Sequence, residues 1–136
     1  MKLIDKNAYL STPYRMRCLV KNVIADTELH SFNTETLEDY TGGITAITED
    51  QTELKYYKIN NLKVSGEVEV YIWRDNFMWK TADKVKPTDY LFTDHGSIVP
   101  IETIEVLNSN LVGRKITTND NIFVERYLVK WVDEYY

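Results

Sequence analysis

The chain has 136 residues and a hydrophobic fraction of 43%, which suits one domain with one core and is too apolar for a disordered polypeptide. Its formal net charge is −5, which argues against non-specific binding to nucleic acid or an anionic membrane, since both need clustered lysine and arginine. The single cysteine, Cys18, rules out an intrachain disulfide, and in the alternating stretch Tyr14 to Val20 it reads as a small buried residue.

The opening Met1-Lys2-Leu3-Ile4-Asp5-Lys6 has no long apolar run, so neither a signal peptide nor a membrane-spanning helix is expected. Tyr14-Arg15-Met16-Arg17 is the densest basic stretch and is too short to make a nucleic-acid patch by itself. Turn clusters follow at Asn33-Thr34-Glu35-Thr36, Gly42-Gly43 and Asn60-Asn61. Glu67 to Trp73 alternates polar with apolar residues at its start and predicts a strand, ended by Asp75-Asn76. The best helical window is Trp79 to Lys86, stopped by Pro87 after about two turns. Ser97 to Ile101 and Thr103 to Leu107 are short β-branched runs on either side of further turns, and Ile122-Phe123-Val124 and Tyr127 to Val132 close the chain. Asp94-His95-Gly96, Asn108-Ser109-Asn110 and Asn119-Asp120-Asn121 supply the remaining turn signals. Short strands punctuated at this density predict an all-β fold of sandwich or barrel type.

The pattern repeats internally. Val23 is followed by Leu29, and Val85 by Leu91, at the same spacing. Each copy then enters a turn, an Ile-x-x-Ile step (Ile44 to Ile47, Ile101 to Ile104) and a Lys-Ile pair (Lys58-Ile59, Lys115-Ile116). Pseudo-repeats at about 20–75 and 80–132 within one domain, 1–136, predict two similar β-subdomains about a pseudo-two-fold axis.

These motifs resemble the Hint domain of inteins and hedgehog proteins. Trp79-Lys80-Thr81-Ala82-Asp83-Lys84-Val85-Lys86-Pro87-Thr88-Asp89-Tyr90-Leu91 is similar to the family stretch W-x-x-A-x-x-L-x-P-G-D-x-L, and Gly96 to Ile104 to G-x-x-V-x-I-x-x-I. Asn121 to Trp131 follows the intein ending N-F-F-A-N-G-I-L-V-H-N position by position. Leu29 to Thr36 resembles V-L-S-Y-N-x-x-T. The resemblance covers about residues 20 to 131 and implies a horseshoe of long, bent antiparallel strands in two pseudo-symmetric β-subdomains.

The resemblance also implies where self-processing residues would stand. Hint autocatalysis needs a nucleophile at the first position, a Thr-x-x-His group that polarises the peptide bond and, in inteins, a final His-Asn whose asparagine cyclises. Ser65 falls on the threonine, but Val68 falls on the histidine, and Lys130 and Trp131 fall on His-Asn. The first position lies close to Met1, where there is no cysteine or serine. Thr88 replaces the glycine of the P-G-D turn, which implies an altered turn. These departures lead us to expect a domain with no catalytic residues and no autoprocessing.

Other candidate sites have plainer readings. His30 and His95 lack a third ligand with metal spacing, so no metal and no cofactor is expected. Glu67-Val68-Glu69 sets two carboxylates on one predicted strand face, an arrangement far commoner as a solvated face than as an acid pair. Trp73, Phe77 and Trp79 around Asp75-Asn76 fit a hairpin centre, or a platform for a sugar or a partner. Trp131, Tyr135 and Tyr136, mixed with acids, fit an anchor for a neighbouring subunit.

The expected function is a non-catalytic structural or interaction protein whose partners are other protein subunits in an assembly, not nucleic acid or membrane. Hint-like proteins occur among bacteriophage genes, which suggests a virion component of tail, baseplate or head surface, located in the particle or the host cytoplasm. The alternatives are a slow self-cleaving degenerate intein using Ser65 or Cys18, and a small-ligand or carbohydrate-binding β module using the Trp73 to Trp79 aromatics.

Overall fold

The computed structural model describes residues 2–131. In chain order the strands are β1 (Ile4–Asp5), β2 (Tyr9–Thr12), β3 (Met16–Leu19), β4 (Glu28–Asn33), β5 (Glu38–Gly43), β6 (Ala46–Ile47), β7 (Gln51–Glu53), β8 (Tyr56–Ile59) and β9 (Leu62–Val64). They continue as β10 (Glu69–Arg74), β11 (Asn76–Thr81), β12 (Tyr90–Phe92), β13 (Ile98–Pro100), β14 (Ile104–Leu107), β15 (Leu111–Arg114), β16 (Ile116–Thr117), β17 (Asn121–Val124) and β18 (Tyr127–Lys130). Among the described residues there is no α-helix, only single 3-10 turns at Pro13–Arg15, Val20–Asn22 and Ala82–Lys84. The helical window at Trp79 to Lys86 is therefore a strand end followed by one such turn. Trp79 is held in β11 opposite Tyr71, with the ring centroids 4.8 Å apart, and this cross-strand aromatic contact overrides a weak helical pattern.

All pairings are antiparallel. One sheet runs β14-β8-β9-β1-β15-β7. The larger runs β13-β12-β10-β18-β17-β2-β3, with β11 added on β10 and the β4–β5 hairpin branching from β17. β6 and β16 form a small separate pair. Pro100 ends β13, an edge strand, where its missing N–H costs no ladder bond.

The main core gathers Ile4, Leu10, Leu29, Ile59, Val70, Leu91, Ile122 and Val129, so both sheets contribute. A second cluster holds Phe32, Tyr71, Phe92, Phe123 and Leu128. Ile122 and Val124 face the first cluster and Phe123 the second, so β17 is buried on both faces. That explains its unbroken apolar run. Each such large side chain contributes about 1.5–3 kcal/mol by leaving water.

The β17–β18 hairpin turns through Glu125 and Arg126, both left-handed at φ 50° and 72°. This is the type I′ geometry that favours Asn-Gly, the pair found here in the intein-type ending. Each L-residue so placed costs roughly 1–2 kcal/mol. Glu125 offsets part of its cost. Its carboxylate accepts the Tyr9 N–H at 2.9 Å and the Asn61 amide at 3.0 Å, and its own N–H donates to the Tyr9 carbonyl at 2.8 Å.

Two local expectations differ from the structure. Gly42-Gly43 is the end of β5, not a turn. A Cβ on Gly42 would collide with the Ser31 hydroxyl and lie 2.5 Å from an Asp120 carboxylate oxygen, so close strand packing demands glycine. Glu67 lies in a turn before β10, so Glu67 and Glu69 do not share a strand face. No helix of the described residues is long and apolar enough to cross a membrane.

Candidate functional site

Ser65 and Val68 are joined through the main chain, and Val68 leads into the β10–β18 pairing that holds Lys130. Ser65 follows β9 and is 3% exposed. Its hydroxyl oxygen accepts the Leu3 N–H at 2.8 Å, and its N–H donates to the Leu3 carbonyl at 3.2 Å, so the start of the chain enters beside it. Val68 is fully buried; its N–H donates to the Ser65 carbonyl at 3.1 Å and its carbonyl accepts from Ala82 at 2.8 Å. β10 and β18 pair with Glu69 opposite Lys130 and Val70 opposite Val129. Continuing that register by one residue sets Val68 against Trp131. Both belong to the main core, and the Trp131 indole N–H donates to the Ile116 carbonyl. The Lys130 ammonium lies 3.9 Å from the Glu69 carboxylate and 6.0 Å from the Trp79 ring centroid.

A polar cluster that the sequence did not reveal lies on the β4–β5 hairpin and the segment entering β17. The Tyr40 hydroxyl donates to Asp120 at 2.7 Å, and the other Asp120 oxygen accepts from the Gly43 N–H at 3.1 Å and the Thr118 hydroxyl at 3.3 Å. Ser31, completely buried, lines the same spot beneath Gly42. Burial first, and the Asp120 carboxylate second, push the Tyr40 phenol far above its ordinary range. The phenol is thus held protonated as a donor and is poorly suited to act as base or nucleophile. Tyr40 and Asp120 are 80 positions apart. No local motif links them, and only the branching of β4–β5 from β17 joins them.

The other candidates are dispersed. Trp73, Phe77 and Trp79 lie on the β10–β11 hairpin, with Trp73 opposite Phe77 and Tyr71 opposite Trp79. The rings contact one another: Phe77 is 4.9 Å from Trp73 and stacks at 5.2 Å on Tyr71. Phe77 is 40% exposed, and Trp79 packs on the second core cluster. Tyr135 and Tyr136 lie outside the described residues, as does Met1. Cys18 is half-buried on β3 rather than fully enclosed, and burial pushes its thiol up, away from the reactive thiolate. His30 pairs with Asp39 at 2.7 Å, and His95 is exposed in the turn after β12. Among the described residues no group of three or more His, Cys, Asp or Glu could hold a metal ion.

The turn carrying Asp89 is held by charge. Arg74 donates to both Asp89 oxygens at 2.7 Å, and the Lys86 N–H donates to one of them at 2.8 Å. Burial alone would raise the Asp89 pKa, but the Arg74 guanidinium and the Lys86 amide outweigh it and hold the carboxyl below its ordinary value. Thr88 keeps a negative φ, so this turn has no need of the glycine found in the family pattern.

With this geometry in place, comparison with solved structures defines the class of fold. The chain is similar to a bacterial intein-like domain from Clostridium thermocellum, with a TM-score of 0.79 at 15% identity over 95% of this chain and 97% of that one. It is similar to the DnaB intein from Synechocystis, with a TM-score of 0.75 at 15% identity over 95% and 97%. It also matches the TvoVMA intein, with a TM-score of 0.75 at 7% identity over 94% and 96%. No protein-family model and no curated protein sequence matches it. The fold is that of the intein-like Hint domain, an all-β horseshoe, as the motifs implied.

Proposed function

We propose that this Hint-type scaffold does not process itself and acts by binding other protein subunits. The observation that carries the reading is Val68. At the place where the resemblance calls for a proton-donating histidine stands a fully buried valine, in the same hydrophobic core as Trp131. An aliphatic side chain cannot donate a proton, and losing one such donor costs about 2.7–4 kcal/mol of barrier, or 10² to 10³ in rate.

The two side chains available to a residual cleavage are poorly placed. The Ser65 hydroxyl oxygen is engaged as acceptor of the Leu3 N–H at 2.8 Å rather than free to attack a carbonyl. Ser65 instead anchors the backbone. Cys18 sits on β3 with a thiol kept neutral by burial. The expected result is one unchanged intact mass after days at neutral pH with added thiol; a discrete internal fragment would overturn the reading. The finer form of the proposal is a component of a bacteriophage particle. It rests on the many Asn, Asp, Lys and Tyr residues and on the occurrence of Hint-like proteins among phage genes. Stoichiometric recovery from purified particles is its expected outcome, and absence from them would refute it.

A further inference from the structure

β18 lies between β10 and β17, and one row of side chains crosses all three strands. Lys130 stands opposite Glu69 on one side and opposite Asn121 on the other. Directly opposed residues of antiparallel strands point to the same face of the sheet. That face is the aromatic one. Tyr71, Leu128 and Phe123 lie two residues along the same three strands and belong to the second core cluster. A carboxylate, an amine and a carboxamide are thus lined up beside an apolar cluster, from strands distant in sequence.

The row is largely withdrawn from water. The Lys130 side chain is 17% exposed and that of Glu69 32%, with the ammonium 3.9 Å from the carboxylate. The Trp79 ring centroid lies 6.0 Å from the same ammonium. The side-chain oxygen of Asn121, Oδ1, is buried and accepts no hydrogen bond among the described residues. The amide nitrogen, Nδ2, makes a long bond of 3.4 Å to the Phe32 carbonyl. A buried amide oxygen without a donor is uncommon in a folded protein and points to a use for that group. Opposed β-carbons of paired strands lie about 4.5–5.5 Å apart. A lysine chain is longer than that, so Nζ can reach the Asn121 amide carbon without moving the strands.

We propose that Lys130 and Asn121 join in an intramolecular isopeptide bond, with Glu69 carrying the proton. Glu69 takes one proton from the Lys130 ammonium and leaves a neutral amine. The amine attacks Cγ of Asn121, and the carboxyl O–H of Glu69 serves Oδ1, the oxygen that lacks a donor. The Nζ–Cγ bond forms and the Cγ–Nδ2 bond breaks. One amine hydrogen stays on the new amide and the other leaves with Nδ2 as ammonia, which takes the proton from Glu69 and departs as ammonium. Nothing is oxidised or reduced, and no main-chain bond breaks, so the cross-link is independent of the non-processing reading above. It ties the open end of the β17–β18 hairpin, whose turn holds Glu125 and Arg126 at left-handed φ. A covalent tie opposite a strained turn keeps β18 in the sheet. The bond forms as the strands pair, so the mass is low from the first measurement and constant afterwards.

The test is intact-mass spectrometry of the full chain, followed by tryptic mapping under denaturing conditions. The expected mass is lower than the sequence requires by one ammonia. The expected map contains a branched peptide that joins the segment ending at Arg126 to the segment beginning at Tyr127, uncut after Lys130. Lys130→Arg and Glu69→Gln should each restore the full mass. If either variant misfolds, the branched peptide of the unaltered chain still decides. The full sequence mass in the folded chain, after long incubation at neutral pH, overturns the proposal. So does an ammonia loss that persists in Lys130→Arg, the mark of an imide formed at an asparagine. A cross-link formed equally in Glu69→Gln overturns the part given to Glu69. A main chain found in fragments overturns the non-processing reading alone, because the branched peptide is read separately.

Discussion

The two halves of the molecule contain the same turn built with different chemistry. In the first half the Val23 N–H donates to Val20 across a 3-10 turn, the Thr27 N–H donates to the Ile24 carbonyl at 3.2 Å, and the Thr27 hydroxyl accepts the Ile24 N–H at 3.2 Å. In the second half Val85 donates to Ala82, Asp89 to the Lys86 carbonyl at 3.0 Å, and an Asp89 oxygen accepts the Lys86 N–H at 2.8 Å. Each turn then delivers a fully buried leucine, Leu29 or Leu91, to the core. The backbone bond pattern needs only one side-chain oxygen. Where that oxygen is a hydroxyl, it is neutral and half-exposed and needs no charged partner. Where it is a buried carboxylate, it must be matched, and Arg74 supplies the match. The first turn is therefore neutral and replaceable, while the second couples the fold to charge and pH.

The comparison is broken most severely at Arg74. Arg74→Ala leaves Asp89 buried without its cation and should cost about 3 kcal/mol in urea unfolding. That is the low end of the range for a broken buried pair, because Arg74 is 25% exposed. The pH profile is the next largest effect. The Asp89 carboxyl is held below its ordinary value of 3.8, so its stabilisation is fully present above that value and is lost as the pH falls through the folded-state pKa. Stability should drop on acidification below about pH 4, and Asp89→Asn should remove that part of the slope. A variant profile as steep as the parent's would show that other carboxylates carry it. Thr27→Ala is the smallest effect, about 1 kcal/mol for the loss of the hydroxyl's two exposed hydrogen bonds to the Ile24 main chain, with no change in pH dependence. If Thr27→Ala cost as much as Arg74→Ala, the contrast between the two turns would be void.

Much of this fold was legible in local pattern. The β-branched runs at Ile98, Ile104 and Ile122 became strands, and the asparagine-rich clusters became their turns, because both signals act over neighbouring residues. What failed was whatever depended on distant partners. Gly42-Gly43 resembled a turn, yet the glycine is there to let Ser31 and Asp120 approach. Glu125-Arg126 carries no turn signature, since the residues that favour a type I′ turn are absent and the hairpin is imposed by β17 and β18. The Tyr40–Asp120 contact requires the sheet to branch at β17, and no periodicity announces a branch.

The central claim is that a Hint-type fold with valine at the proton donor's place holds its chain intact. The most direct measurement joins an inert reporter domain to each end of the full chain and follows the product by gel and mass after expression and prolonged incubation. A single species containing both reporters is the predicted result. A freed reporter, or two reporters ligated to each other with this domain excised, contradicts it.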